Sequence, residues 1–110
     1  MDKRNEAILN KIFEETAMIA DMIYGIDYDT FISDEKTKRA VCMTLINIGE
    51  MVKLLSDDIK QKNPAIPWRS ISGLRDVTAH GYQTLRMEDI WKTVTADMPA
   101  LSKQINEMLA

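Results

Sequence analysis

One histidine, one cysteine and four glycines in 110 residues exclude more chemistry than any other feature of this chain. A zinc site needs several clustered His, Cys or carboxylate ligands, and one histidine with one distant cysteine does not supply them. The lone Cys42 closes no intrachain disulfide, and in its apolar, helical run it reads as a small buried hydrophobe. Phosphate-loop and dinucleotide-binding glycine patterns are missing. No serine stands in a nucleophile-elbow setting. No apolar stretch is long enough to span a bilayer, and the polar start Met1-Asp2-Lys3-Arg4-Asn5-Glu6 has no signal-peptide character, so the expected location is the cytoplasm, with no membrane contact. No alternating apolar run is bounded by hairpin turns, which removes strands from the expected fold.

What is present is helical periodicity, with hydrophobic content of 45% and charged content of 28% as in an ordinary globular chain. Residues 3–24 place Ile8, Ile12, Ile19 and Ile23 on one stripe, with Phe13 and Met22 beside it and Gly25 as the stop. Residues 26–30 read as a turn or the start of a short helix, with Ser33 as the expected N-cap of the next. Val41, Leu45, Ile48, Val52 and Leu55 mark a helix over 34–55, and residues 56–63 extend it or form a short one. Pro64 and Pro67 mark a loop, after which Trp68, Ile71 and Leu74 give the inner side of a third main helix ending at Gly81. A last helix over about 87–109 carries Met87, Ile90, Val94, Met98, Leu101, Ile105 and Met108, with Pro99 expected to kink or divide it. The eight methionines read as core filler. The expectation is one domain over 1–110, all-α, a small antiparallel bundle of four to five helices.

A net charge of −3 argues against broad, nonspecific nucleic-acid binding. The charge is unevenly placed, however. Residues 59–86 hold Lys60, Lys62, Arg69, Arg75 and Arg86 against the single acid Asp76. Within this basic stretch lies Arg75-Asp76-Val77-Thr78-Ala79-His80-Gly81-Tyr82, with the only histidine. Arginine holds phosphate, histidine moves protons near neutral pH, and a phenol can accept a transferred group. Metal-independent RNA cleavage needs a base for the 2′-hydroxyl, an acid for the 5′-oxygen and a cation for the phosphate. His80 can be base or acid and Arg75 the clamp. One histidine cannot fill two roles, so a symmetric dimer sharing one cleft is expected. On a regular helix the five-residue step turns by about 140°, so Arg75 and His80 would flank a groove that a second subunit completes. The residues alone leave plainer readings open: His80 as a helix C-terminal histidine, Tyr82 as a loop anchor, and Arg75 as a surface or interface cation.

The run Pro67-Trp68-Arg69-Ser70-Ile71-Ser72-Gly73-Leu74-Arg75-Asp76-Val77-Thr78-Ala79-His80-Gly81-Tyr82 resembles the HepT-like toxins of the HEPN superfamily, which share an Arg-x4-His-x-Tyr motif in this context. Ile48-Gly49-Glu50, Asp89-Ile90-Trp91 and Met98-Pro99-Ala100-Leu101 are similar to that family too, and the likeness runs from about Phe31 onward. The resemblance implies a homodimeric helical bundle with two motif copies in a shared cleft. It implies a ribonuclease toxin with Arg75 and His80 catalytic, needing no cofactor or metal. Its partner would be a small nucleotidyltransferase antitoxin that transfers AMP from ATP to Tyr82. A bulky anion there would block phosphate entry and neutralise the clamp. Many members have asparagine where this chain has Asp76. An acid at that position lowers phosphate affinity, pairs with Arg75, or raises the pKa of His80 and favours its acid role. Glu50 is expected in a supporting role near the cleft, or as a solvated helix carboxylate. A non-enzymatic helical partner that regulates a nucleotidyltransferase, with Tyr82 as acceptor, is the competing reading. A helical nucleotide-binding module is the third.

Overall fold

Aspartate caps start the first three helices of this chain. In the computed structural model, which describes residues 1–76 and 85–110 and of Arg75 and Asp76 the backbone alone, Asp2 accepts the Asn5 N–H at 2.7 Å and opens α1 (Lys3–Ile23). Gly25, at φ 75°, turns the chain away from it. Asp27 caps α2 (Tyr28–Ser33) through the Thr30 N–H, and Asp34 caps α3 (Glu35–Leu54) through the Thr37 N–H. The expected Ser33 cap is therefore corrected by one residue. The Ser33 hydroxyl donates back to the Thr30 carbonyl within α2, while the carboxylate after it meets the free N–H groups of α3. Ser56 caps the short α4 (Asp57–Lys62).

The α1 and α3 helices run antiparallel. The Arg4 guanidinium donates to the Leu54 carbonyl at 2.9 Å, so the start of α1 lies beside the end of α3. On its other side α1 packs on the C-terminal helix α7 (Met98–Leu109). The α5 helix (Trp68–Ser72) and the 3₁₀ turn that follows it (Gly73–Asp76) pack on α3. Among the described residues there is no strand. The fold is an all-α, HEPN-like bundle.

Burial follows the helical stripes with two shifts. Val41, Leu45, Ile48, Val52 and Leu55 are buried along α3 as their spacing requires. On α1 the stripe centres on Leu9, Ile12 and Ile19, and Ile8 and Ile23 are only partly covered. The methionines differ more from expectation. Met98 is buried, but Met1, Met18 and Met43 are half or more exposed. Burial raises the pKa of the Cys42 thiol, as a small hydrophobe in the core should show. Every buried side-chain N or O among the described residues has a hydrogen-bond partner.

Pro99 does not break the last helix. The α6 helix (Met87–Lys92) continues through a π turn (Thr93–Asp97) into α7. Proline has no N–H and its ring crowds the carbonyl four residues back, here that of Thr95. A widened turn just ahead of it relieves that crowding and lets both flanking helices persist. The Thr93 and Thr95 hydroxyls donate to the Asp89 and Trp91 carbonyls at 2.9 and 2.7 Å, satisfying acceptors in the loosened stretch.

Candidate active site

The segment ahead of the motif is pinned before Arg75 begins. Ile66, Trp68 and Ile71 are buried, and the Trp68 indole Nε1 donates to the Asn63 carbonyl at 3.0 Å. Pro67 occupies the N-cap position of α5 rather than its first turn, and its carbonyl accepts the Ile71 N–H at 3.1 Å. The helix then tightens. Gly73 to Asp76 form a 3₁₀ turn against α3, whereas the sequence pattern suggested one continuous α-helix to Gly81. The tighter turn, about 120° per residue rather than 100°, extends to Asp76, and the rest of the step from Arg75 to His80 lies outside the described residues.

Downstream, the chain is pinned again. Leu85 and Met87 pack against the core and Ile90 is buried. Trp91 lies against Phe31 with ring centroids 5.0 Å apart and meets Tyr28 edge-on at 6.1 Å. That aromatic cluster fixes α6 on α2. Arg86 sits 3.9 Å from both Glu88 and Asp89, all three exposed, a weak and screened arrangement.

Of the candidate site residues, His80 and Tyr82 lie outside the described residues, as does Gly81. Arg75 and Asp76 are placed by their backbone alone, in the 3₁₀ turn. Glu50 is exposed on α3, the helix on which that turn rests. Among the described residues no cluster of three or more His, Cys, Asp or Glu side chains could hold a metal ion, and no helix is long and apolar enough to cross a membrane.

Sequence reasoning missed a cavity of about 400 Å³ between α5 and the final helix. Leu74, the residue before Arg75, is part of its wall, with Ser70, Thr93, Asp97 and Gln104 as polar residues. These residues come from two segments far apart in sequence, and although Ser70 and Leu74 lie in the run that carries the family likeness, no spacing pairs them with Asp97 or Gln104. A larger groove of about 680 Å³ between α1 and α7 includes no residue of the segment leading into the motif, so its size does not make it the chemical site.

Residues 12–108 match the family described as Ribonuclease HepT-like. A provisionally named RNase of Methanocaldococcus jannaschii is 37% identical, covering 94% of this chain and 85% of its own. Another, of Caldanaerobacter subterraneus subsp. tengcongensis, is 34% identical over 92% of this chain and 90% of its own. A protein of Thermococcus cleftensis, provisionally named ribonuclease HepT, is 32% identical over 98% of both chains. No solved structure matches the chain significantly. With nearly the whole chain inside the match, and the Arg75, His80 and Tyr82 spacing within it, this protein belongs to the HepT-like ribonuclease family.

Proposed function

We propose that this chain is a metal-independent endoribonuclease, the toxin of a two-component toxin–antitoxin system. It acts in the cytoplasm as a homodimer of single-domain chains. The observation that carries this reading is the family match over residues 12–108, which encloses the Arg-x4-His-x-Tyr motif.

The chemistry asked of the motif is limited. Arg75 holds the scissile phosphate and offsets the charge that builds on it in the transition state. His80 from one protomer takes the proton of the 2′-hydroxyl, whose oxygen attacks phosphorus. The P–O5′ bond breaks, and His80 of the second protomer, in its protonated form, gives a proton to the leaving oxygen. The products are a 2′,3′-cyclic phosphate and a 5′-hydroxyl, and no water is consumed. Asp76 and Glu50 serve in support. Asp76 adds negative charge close to Arg75 in sequence, which tempers the clamp and favours the protonated form of a nearby histidine.

Control comes from a small nucleotidyltransferase antitoxin. The Tyr82 phenol oxygen attacks the α-phosphorus of ATP, pyrophosphate leaves, and the phenolic proton is released. The AMP ester puts a bulky anion two residues from His80, competing with RNA phosphate for Arg75.

The test is cleavage of RNA by the purified, unmodified protein in EDTA, wild type beside His80→Ala. Cleavage by wild type alone, with 2′,3′-cyclic phosphate ends, is expected. Equal cleavage by both proteins would sink the assignment. Equal inactivity, with Tyr82 unmodified by intact mass, would favour a non-enzymatic partner of the nucleotidyltransferase.

A further inference from the structure

The cavity between α5 and the final helix has a defined polarity. Its floor is apolar, with Ile71, Met98 and Leu101 buried, and among the described residues its polar lining is Ser70, Thr93, Asp97 and Gln104, the Thr93 hydroxyl being engaged with the Asp89 carbonyl. Its two ends can be told apart. Ala65 and Gln104 also line the neighbouring cavity beside Glu107 and Met108, so they mark one end. Along the final helix and the turn before it, Thr93 and Asp97 are the lining residues farthest in sequence from Gln104. Leu74, across the cavity from the final helix, precedes Arg75 directly, so the cavity that Asp97 lines reaches the start of the motif segment.

Asp97 closes the π turn, is exposed, and has no ion-pair partner among the described residues. Single π turns inside α-helices are frequent at functional sites. A carboxylate at neutral pH is acceptor-only, with two oxygens side by side. Among the RNA bases, guanine alone presents two adjacent N–H donors on its pairing edge, N1–H and N2–H. Adenine and cytosine place a ring-nitrogen lone pair beside their amino group, and uracil flanks its single N–H with carbonyls. An apolar floor suits the face of a base whose pairing edge is held at the rim.

We propose that this cavity is a base-reading subsite beside the cleavage centre, in which Asp97 accepts both N1–H and N2–H of a guanine in the RNA. The inference rests on the ribonuclease reading above. Gln104 lies seven residues on, about 10 Å along the same helix face, where it meets the ribose end of the nucleotide. A fixed negative charge repels the phosphates of any RNA, so the subsite selects more than it attracts. Only a base that donates twice offsets that repulsion.

Two experiments test this. Wild type and Asp97→Asn are titrated with GMP, IMP and AMP, followed by amide chemical shifts. IMP keeps N1–H and lacks the N2 amine. The expected ranking in wild type is GMP, then IMP, then AMP, with GMP at least about tenfold tighter than AMP, and the ranking collapses in the variant. Separately, cleavage positions on a mixed-sequence RNA are expected at a fixed offset from guanosine in wild type and not in Asp97→Asn. Equal binding of GMP and AMP by wild type, or a ranking unchanged by the substitution, would overturn the subsite. A guanine ranking that depends on Asp97 in a protein that cuts no RNA would support the pocket and sink the ribonuclease reading instead.

Discussion

Asn5 and Ser56 are joined by two hydrogen bonds across 51 positions of sequence. The Asn5 amide Nδ2 donates to the Ser56 Oγ at 2.9 Å, and its Oδ1 accepts the Ser56 N–H at 3.2 Å. Asn5 is buried, and Ser56 also caps α4. The pair therefore fixes the start of α1 against the junction of α3 and α4. Asn5→Ala removes both bonds and leaves the Ser56 N–H without its partner. The expected cost is about 1–3 kcal/mol, read as a lower denaturant midpoint with an unchanged slope. An unchanged midpoint would mean water replaces the amide at no loss.

Acid should weaken the protein partly through two caps. The Thr30 backbone N–H and hydroxyl hold the Asp27 carboxyl below its ordinary pKa of 3.8. The Thr37 hydroxyl and then its N–H do the same for Asp34. A carboxyl whose folded pKa is depressed contributes its full stability above the unfolded value and loses it as pH falls through the folded one. The contribution is thus complete at neutral pH and disappears below about 3.8. Asparagine caps nearly as well without titrating. Asp27→Asn/Asp34→Asn should match wild type at pH 7 and show a shallower fall in melting temperature below pH 4. Parallel acid profiles would show that other carboxylates dominate.

Much of this architecture was legible because it depends on local spacing. The α3 stripe from Val41 to Leu55 needs only a 3.6-residue period, and every position is buried. Errors arose where tertiary context decides. Ser33 and Asp34 are both good caps in isolation, and only the path of α2 into α3 puts the carboxylate at the free N–H groups. Leu9 outranks Ile8 because α1 is covered from two sides, by α3 and by α7. Methionine tolerates both core and surface, so composition could not place Met18 or Met43 outside. The 3₁₀ turn at Arg75 carries no mark in the sequence beyond Gly73. The Arg-x4-His-x-Tyr residues stand out by spacing and family likeness alone, and His80 and Tyr82 lie outside the described residues. The Asp97 cavity does not stand out, because Leu74 and Asp97 come to line one cavity only when the segment around α5 meets the final helix.

Gly25 is a position where backbone alone sets the outcome. Its φ of 75° is left-handed, and a Cβ built there meets nothing within 4 Å. Gly25→Ala should cost about 1 kcal/mol from conformation, and Gly25→Asn less, because asparagine tolerates this region. Equal losses for both, measured by thermal melting, would point to a steric cause in place of a backbone one.

Cys42 is 4% exposed, and burial pushes the pKa of its thiol up. Thiolate is the reactive form and needs access. An aromatic disulfide reagent should therefore label Cys42 slowly in the native protein and rapidly in guanidinium. Rapid native labelling, with the fold intact by circular dichroism, would show that the α3 face around Cys42 opens readily.

The shared cleft can be separated from a self-contained site by mixing active and inactive chains. If one cleft needs a histidine from each protomer, a dimer of one wild-type and one His80→Ala chain is inactive, because it cannot supply base and acid together. Unfolding and refolding equal amounts of the two proteins forms mixed dimers, roughly half of the total by random pairing, and wild-type dimers, about a quarter. Activity should therefore fall to about a quarter of that of the same total protein refolded as wild type alone. Were Arg75 and His80 sufficient on one chain, every wild-type chain would keep its site in any pairing, and the mixture would retain about half. A mixture that retains half of the wild-type activity rules out the two-histidine cleft and leaves dimerisation without a catalytic role.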